Sequence, residues 1–236
     1  MSTLGVRACT VFPNPDLEDP DLKDLVLPNI SKDTTPKAYD DLVARFPNFK
    51  VEKHNCFGFT TVHLAARMGN ILLLKHIVEI EGKNLINMGT RYGLTSLLCA
   101  SLCEDIAAGY LAAKELINLG ADVNITTIKS ISSDFPSQVT PLWVAAVKTK
   151  NLKLIKLLLF NGAILHPQNE IRVDAEKNAA LKDDVTDLLT KAKDEIIEVY
   201  NRIASTELCL TKCFAIPSDV ARQVRDQMLE DYIDNI

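Results

Sequence analysis

Apolar side chains recur at steps of three and four along much of the chain, with Lys, Asp and Glu between them. Such steps place side chains on one face of an α-helix, so the pattern predicts a helical protein. The longest stretch, residues 175–204, predicts either one long helix or two helices broken near residues 191–194. A last amphipathic helix begins at Pro217 and Ser218. Its apolar stripe consists of Val220, Val224, Met228 and Tyr232.

A short motif occurs three times. It reads Gly-Phe-Thr-Thr-Val-His-Leu-Ala-Ala over residues 58–66, Gly-Leu-Thr-Ser-Leu-Leu-Cys-Ala over residues 93–100, and Thr-Pro-Leu-Trp-Val-Ala-Ala over residues 140–146. Recurrence at a near-constant spacing indicates a stack of similar structural units. The first two motif threonines are 35 residues apart and the last two are 45 residues apart, so the second interval contains an insertion.

These motifs resemble the ankyrin-repeat family, whose unit is a β-turn, a helix, a tight turn, an antiparallel helix and a loop. The first copy matches best and departs only at Thr61, where the family has Pro. The second copy ends in the family's Gly-Ala-Asp-Val-Asn at residues 120–124. The resemblance implies an all-α ankyrin-repeat solenoid over residues 54–166. We expect an N-terminal arm and capping helix over residues 1–53 and a C-terminal helical extension over residues 167–236.

The N-terminal segment is proline-rich and acidic over residues 1–33. Each proline removes an N–H donor that a helix or a sheet needs, so this segment predicts an extended arm along a neighbouring surface. Thr35 and Pro36 then predict a helix start, as the N-cap and the first helical residue, and Pro47 ends that helix. We interpret the helix as a cap, because an uncovered end of a repeat array exposes apolar surface.

The insertion falls partly near residues 104–109 and mostly in residues 125–139, which we call the finger. Long loops in compact repeats are either functional or disordered. The finger carries Ile128, Ile131 and Phe135, which are costly to expose without a partner. This composition favours a functional finger.

Ankyrin arrays bind proteins through their β-turn tips and the concave side of their first helices. The resemblance, with the finger added, therefore predicts a partner-binding surface. Cys56 and Val139 also occupy such binding positions. Phe57 and Phe59 could instead pack under the N-terminal arm, in which case they would not contact a partner. The predicted surface consists of Phe57, Phe59, Arg67, Met68, Arg91, Tyr92, Leu94, Ile131, Phe135 and Lys148.

Charge and hydropathy exclude several function classes. The formal net charge is −5 and the pI is about 5.4, whereas a nucleic-acid surface needs clustered Lys and Arg. The sequence contains no run of 18 apolar residues and no signal-peptide core of adequate length. We expect a cytoplasmic protein that binds protein partners and takes no nucleic acid, small-molecule substrate or cofactor.

No residue pattern assembles a catalytic site. His63 occupies the family position at which the imidazole bonds to neighbouring turns, and no nucleophile and base stand together. The cysteines predict reduced, buried thiols. A zinc site drawn from Cys99, Cys103, Cys209 and Cys213 is the alternative, although C-x-x-x-C is not the usual zinc spacing. We therefore predict a non-enzymatic adaptor without a metal.

The C-terminal segment offers a second hypothesis. Residues 215–220, Ala-Ile-Pro-Ser-Asp-Val, resemble the start of an F-box-like motif, with Ile216 in place of the usual Leu. This resemblance implies an effector or ubiquitin-ligase adaptor in which the C-terminal helices recruit a second protein while the repeats select the target. The degenerate repeats also suit a bacterial effector in the host cytosol. The simpler interpretation, a Pro-initiated capping helix, is the one we favour.

Overall fold

A computed structural model describes residues 30–45, 58–131, 135, 137–164, 179–213 and 217–235. These residues form nine helices and no β-strand, which confirms the predicted all-α class. The helices are α1 (Pro36–Arg45), α2 (Thr61–Arg67), α3 (Ile71–Glu81), α4 (Ser96–Ser101), α5 (Ile106–Asn118), α6 (Pro141–Trp143), α7 (Leu152–Phe160), α8 (Ala179–Cys213) and α9 (Ser218–Asn235). Most of the predicted arm, the predicted end of α1 at Pro47, and residues 215–216 of the F-box-like motif lie outside the described residues.

The chain divides into two compact bodies, Met1–Gln138 and Val139–Ile236. The N-terminal body contains α1 to α5 and most of the finger. The C-terminal body contains the third motif copy and the two long helices α8 and α9. We describe each body by itself.

The first two motif copies build the same local structure. A threonine precedes the first helix of each copy, and the Thr95 hydroxyl accepts a hydrogen bond from the Leu98 N–H, as the capping pattern predicts. Ten residues after each threonine, a polar side chain starts the second helix. Asn70 and Asp105 fill this position, and each accepts a bond of 3.0 Å from a backbone N–H of the following turn. The repeated sequence therefore repeats the caps.

Small side chains allow the helices of the N-terminal body to pack closely. Helix α2 packs against α3, α4 and α5. Ala65 and Ala66 on α2 are fully buried, and their methyl groups leave room for the neighbouring helices. The surrounding core consists of Leu73, Leu74, Ile77, Leu97, Leu98 and Leu116. Burial of these apolar side chains stabilises the body.

The segment before α1 contacts the N-terminal ends of α3 and α5, which are the second helices of the first two motif copies. The Asn70 side-chain amide donates to the carbonyls of Ser31 (3.1 Å) and Thr34 (2.8 Å), while its oxygen still caps α3. The Lys32 ammonium lies 2.7 Å from the Asp105 carboxylate. Lys32, together with the N–H that Asp105 caps, holds the pKa of the Asp105 carboxyl below its usual value. The two capping side chains therefore also bind the N-terminal segment.

Helix α1 packs on α3. Tyr39 is buried, and its ring meets His76 of α3 edge to face at a centroid distance of 6.2 Å. The His76 ring nitrogen lies 2.7 Å from the Asp40 carboxylate. His76 therefore joins α3 to α1 through both an aromatic contact with Tyr39 and a polar contact with Asp40.

The third motif copy has one residue more between its two caps. Eleven residues separate Thr140 from Asn151, and the extra residue is accommodated by a π-helical turn over Val144–Lys148. Lys150 then adopts a φ of 48°, at the position where Gly69 adopts 65° in the first copy. Ala145 and Ala146 remain buried despite the insertion. The extra residue therefore changes the end of this helix, while Ala145 and Ala146 stay in the core.

The C-terminal extension begins with a single helix. Helix α8 runs unbroken from Ala179 to Cys213, so the one-helix alternative is the correct one. Helix α8 packs on α7 and on the π-helical turn, and α9 packs on α8. Phe160 at the end of α7 stacks on Tyr200 at 5.5 Å and meets Tyr232 of α9 at 6.2 Å. This aromatic cluster joins three helices.

The buried side of α9 differs from the predicted stripe. The helix starts at Ser218, as predicted, but Val220 and Val224 are 40% and 39% exposed. Ala221 is fully buried in their place. Successive helical residues point about 100° apart, so contact through Ala221 turns Val220 away from α8. The first two residues of the predicted stripe are therefore exposed, and Ala221 beside them is buried.

Candidate functional site

The turn before α4 presents two of the predicted partner-binding side chains. Its ends are joined by a backbone bond of 2.9 Å from the Thr90 N–H to the Leu94 carbonyl, and the Thr90 hydroxyl accepts from the Leu94 N–H. Gly93 adopts a φ of 79° within the turn. Arg91 is exposed and Tyr92 is partly exposed. The closed turn therefore holds both side chains on a defined backbone.

The finger is attached to this turn through backbone atoms. The Ile128 N–H donates to the Tyr92 carbonyl of the turn at 2.8 Å. Within the finger, the Gln138 N–H donates to the Thr127 carbonyl at 2.8 Å. The approach is close, because a Cβ on Gly93 would lie 2.7 Å from the Ile128 nitrogen. Ile128 itself is 66% exposed. The finger therefore lies beside the turn with an aliphatic side chain facing outward.

The predicted surface residues separate into two groups. Arg91 and Lys148 are exposed, although Lys148 lies in the C-terminal body, 5.9 Å from the Trp143 ring centroid. The partly exposed members are Arg67, Met68, Tyr92 and Ile131. Phe57 and the equivalent residue Cys56 lie outside the described residues. The structure thus brings Arg91 and Tyr92 to the base of the finger, while Arg67 and Met68 lie at the far end of α2.

Phe59, Leu94 and Phe135 were predicted as contact residues, but the structure buries all three. Phe59 meets the His63 ring edge to face at 5.9 Å. Leu94 closes the turn, and its side chain is 1% exposed. The Phe135 carbonyl accepts a bond from the Ile131 N–H, and Phe135 is 5% exposed. Their apolar area is already removed from water, so they do not form a free surface.

His63 bonds to neighbouring turns, as the resemblance implies. Its Nδ1 accepts from the Thr60 N–H at 3.2 Å, so its Nε2 carries the proton. Nε2 lies 3.0 Å from the Met88 carbonyl and 2.9 Å from the Leu94 carbonyl. The imidazole is fully buried and bonded on both nitrogens. His63 therefore links the first helix to the turn that carries Arg91 and Tyr92.

Two residues beside the predicted surface were not among its members. Ile128 and Lys129 are both exposed on the finger. The signal for Lys129 is its position between Ile128 and Ile131, as the one charged residue of the segment 125–131. Identifying Lys129 as a neighbour of the predicted surface also requires the contact between the finger and the turn, which only the tertiary structure shows.

The described cysteines are unsuited to nucleophilic or metal chemistry. Cys99 is buried, and this burial raises its pKa to about 12. Burial also raises the pKa of Cys103. The side chains of Cys209 and Cys213 lie outside those described. Among the described residues, no three His, Cys, Asp or Glu side chains are grouped closely enough to hold a metal ion.

A comparison with protein families agrees with the repeated local structure. The family model of the ankyrin repeat matches residues 138–170, which contain the third motif copy. The chain contains an ankyrin repeat. The helix pairs and matching caps of the first two copies are likewise all-α and ankyrin-like. No curated protein matches the chain.

The ankyrin repeat restricts the general function. Ankyrin repeats bind proteins and are typically non-enzymatic. None of the described helices combines the length and the apolar character needed to cross a membrane. The general expectation of a protein partner is therefore supported by the repeat itself.

Proposed function

We propose that this chain is a non-enzymatic adaptor that binds a protein partner through the turn tip, the finger and the exposed end of α2. The observation that carries the proposal is the bond from the Ile128 N–H to the Tyr92 carbonyl. Because this bond joins the finger to the turn, Arg91, Tyr92, Ile128 and Lys129 form one surface, which we call the tip surface. Arg67, Met68 and Lys148 are further contact candidates on the ankyrin-like helices.

A preformed surface suits partner binding. The turn is closed by Thr90, and the finger is bonded to it at Ile128, so the described backbone of the tip surface needs little ordering when a partner arrives. Less ordering on association leaves more of the interaction energy as affinity. Arg and Tyr are also the side chains that most often dominate interface energetics. The proposal retains the division into residues 1–53, 54–166 and 167–236.

We place the adaptor in the cytosol. The support is the chemistry of Cys99 and Cys103, which are free and buried thiols. Free thiols are usual in a reducing compartment. A host cytosol, for an effector, has the same redox chemistry.

Alanine at Arg91 or Tyr92 should weaken partner binding by about 1–4 kcal/mol with little change in melting temperature. Both side chains extend from a turn whose closure depends on Thr90 and Leu94, so truncating them removes contacts without opening the turn. The partner is first captured with the full chain as bait, identified by mass spectrometry, and then titrated by calorimetry. Lys83→Ala, another exposed position of the N-terminal body, is the control. Unchanged affinity in both tip variants would contradict the proposal.

A second candidate function is recruitment of another protein by α9. The observation that favours it is the exposure of Val220 and Val224, which α8 leaves uncovered. The competing role is a cap, and its support is the packing of α9 on α8 and the contact between Tyr232 and Phe160. We favour the cap.

Deleting residues 215–236 should lower the melting temperature, because it uncovers the side of α8 that packs on α9. Each exposed Å² of apolar surface costs about 25 cal/mol. The double variant Val220→Ser, Val224→Ser separates the two roles, since it changes exposed side chains and retains Ala221. Thermal unfolding and affinity capture are measured on all three chains. Loss of a ubiquitin-ligase scaffold in the double variant, at an unchanged melting temperature, would establish recruitment instead.

A further inference from the structure

The tip surface has a charge opposite to that of the whole chain. The described parts of the turn and finger, residues 90–94 and 125–131, contain two cations and no acidic residue, whereas the chain carries a formal net charge of −5. The cations are Arg91 and Lys129, and both are exposed. Asp134 of the finger lies outside the described residues. The tip surface is therefore locally positive on an acidic protein.

Both cations are available to a partner. Several other basic side chains are paired, including Lys32 with Asp105, Lys75 with Glu115 and Lys156 with Glu195. Within the described part of the chain, neither Arg91 nor Lys129 forms an ion pair. An incoming carboxylate would not have to displace an internal partner. The Arg91 guanidinium could also donate two parallel hydrogen bonds to such a carboxylate.

An aliphatic side chain stands next to these charges. Ile128 is 66% exposed, and its backbone is held by the bond to the Tyr92 carbonyl. A fixed backbone presents the side chain without an ordering cost on binding. The combination of an exposed isoleucine, a partly exposed tyrosine and two cations matches a ligand that carries both carboxylates and an apolar group.

We propose that the tip surface binds an acidic peptide segment of a partner protein, with an aliphatic side chain of that segment packed against Ile128 and its carboxylates on Arg91 and Lys129. This inference rests on the proposed function and specifies the chemistry of the partner. A protein segment fits better than a nucleic acid. Nucleic-acid binding uses many phosphate contacts and rows of flat groups on which bases stack, whereas this surface has two cations, one exposed isoleucine and one partly exposed tyrosine.

The test uses the full chain and three pools of short synthetic peptides. One pool places leucine between aspartate and glutamate residues, the second replaces the acids by asparagine and glutamine, and the third replaces them by lysine. Binding is measured by fluorescence anisotropy at low and high salt, together with a single-stranded oligonucleotide. We expect the acidic pool to bind at least about tenfold more tightly than the amide pool, with a loss of affinity as salt is raised.

Charge reversal locates the site. The variant Arg91→Glu with Lys129→Glu should lose at least about tenfold in affinity for the acidic pool and gain affinity for the lysine pool. Ile128→Ser should weaken binding of the acidic pool without altering its salt dependence. Lys83→Glu makes a charge change of the same sign at another exposed position and should leave binding unchanged. Circular dichroism checks that each variant remains folded.

The outcomes distinguish this inference from the proposed function. Peptides that bind the tip surface without a preference for acids, or a preference for the oligonucleotide, would overturn the inference and leave the tip surface as a binding site. Peptide binding that none of the tip variants alters would overturn both. Failure of every pool to bind at the highest soluble concentration would overturn the acidic-peptide inference, while the capture experiment with Arg91 and Tyr92 variants would still decide the proposed function.

Discussion

Replacing Gly69 by alanine should lower the free energy of unfolding of the N-terminal body by about 2–5 kcal/mol. Gly69 adopts a φ of 65°, which an alanine adopts only with strain. The added Cβ would also lie 2.5 Å from the Cβ of Ala108 on α5. The cost therefore combines backbone strain with overpacking between the two motif copies. Urea unfolding followed by circular dichroism measures it.

Two further variants separate these costs. Gly120→Ala is a control for strain without a clash, because Gly120 has a φ of 103° and no atom lies within 4 Å of the place that an added methyl group would take. Ala108→Gly removes the methyl group that the new Cβ would meet. Combined with Gly69→Ala, it should recover part of the loss, which a double-mutant cycle measures. No recovery in the variant that combines Gly69→Ala with Ala108→Gly would show that the contact with Ala108 is unimportant.

Replacing His63 by alanine should cost about 3–5 kcal/mol of unfolding free energy. The substitution removes the donor shared by the Met88 and Leu94 carbonyls and the acceptor for the Thr60 N–H. These groups lie beside a fully buried ring, so the loss also leaves a cavity. Urea unfolding is again the measurement. The Leu94 carbonyl belongs to the turn that carries Arg91, so hydrogen exchange should also increase at that turn.

His76→Ala provides the control for this prediction. His76 is a partly exposed histidine whose ring nitrogen meets the Asp40 carboxylate between α1 and α3. Exposed pairs of this kind contribute about 0–1 kcal/mol, so its loss should be small. A His63→Ala variant that unfolds at the same urea concentration as His76→Ala would show that the buried bonds of His63 add little stability.

The two large predictions describe how the scaffold supports the tip surface. Gly69 allows the second copy to approach the first, and His63 bonds the turn to α2. Neither residue is part of the tip surface. A partner-binding assay on partially destabilised variants would therefore report on the rigidity of the turn, whereas Arg91 and Tyr92 variants report on contact with the partner.

Local chemistry made much of the fold predictable from the sequence. The Thr95 and Thr140 caps and the start of α9 at Ser218 follow from residues within a few positions. Such features depend on short-range hydrogen bonds and side-chain spacing, which the sequence specifies directly. The long-range bonds of His63 were instead implied by the family resemblance.

The candidate site was only partly predictable. Arg91 and Tyr92 lie at turn positions that the repeat pattern identifies, and the structure leaves them accessible. Phe59 and Leu94 occupy neighbouring positions in the pattern but are buried. Position within a repeat indicates where the backbone lies. Burial also depends on contacts with the neighbouring copy, and the sequence pattern of one copy contains no information about those contacts.

The sequence by itself determined the helical class, the repeat caps and the position of the turn tip. Only the tertiary structure decided which apolar side chains remain outside: Ile128 and Val220 are exposed, while Phe135 and Ala221 are buried. These four residues are all apolar or small, so composition does not separate them. What separates them is which elements meet, such as the finger with the turn and α9 with α8. Long-range contacts of this kind determine the solvent exposure of a side chain, and with it the surface that a partner can reach.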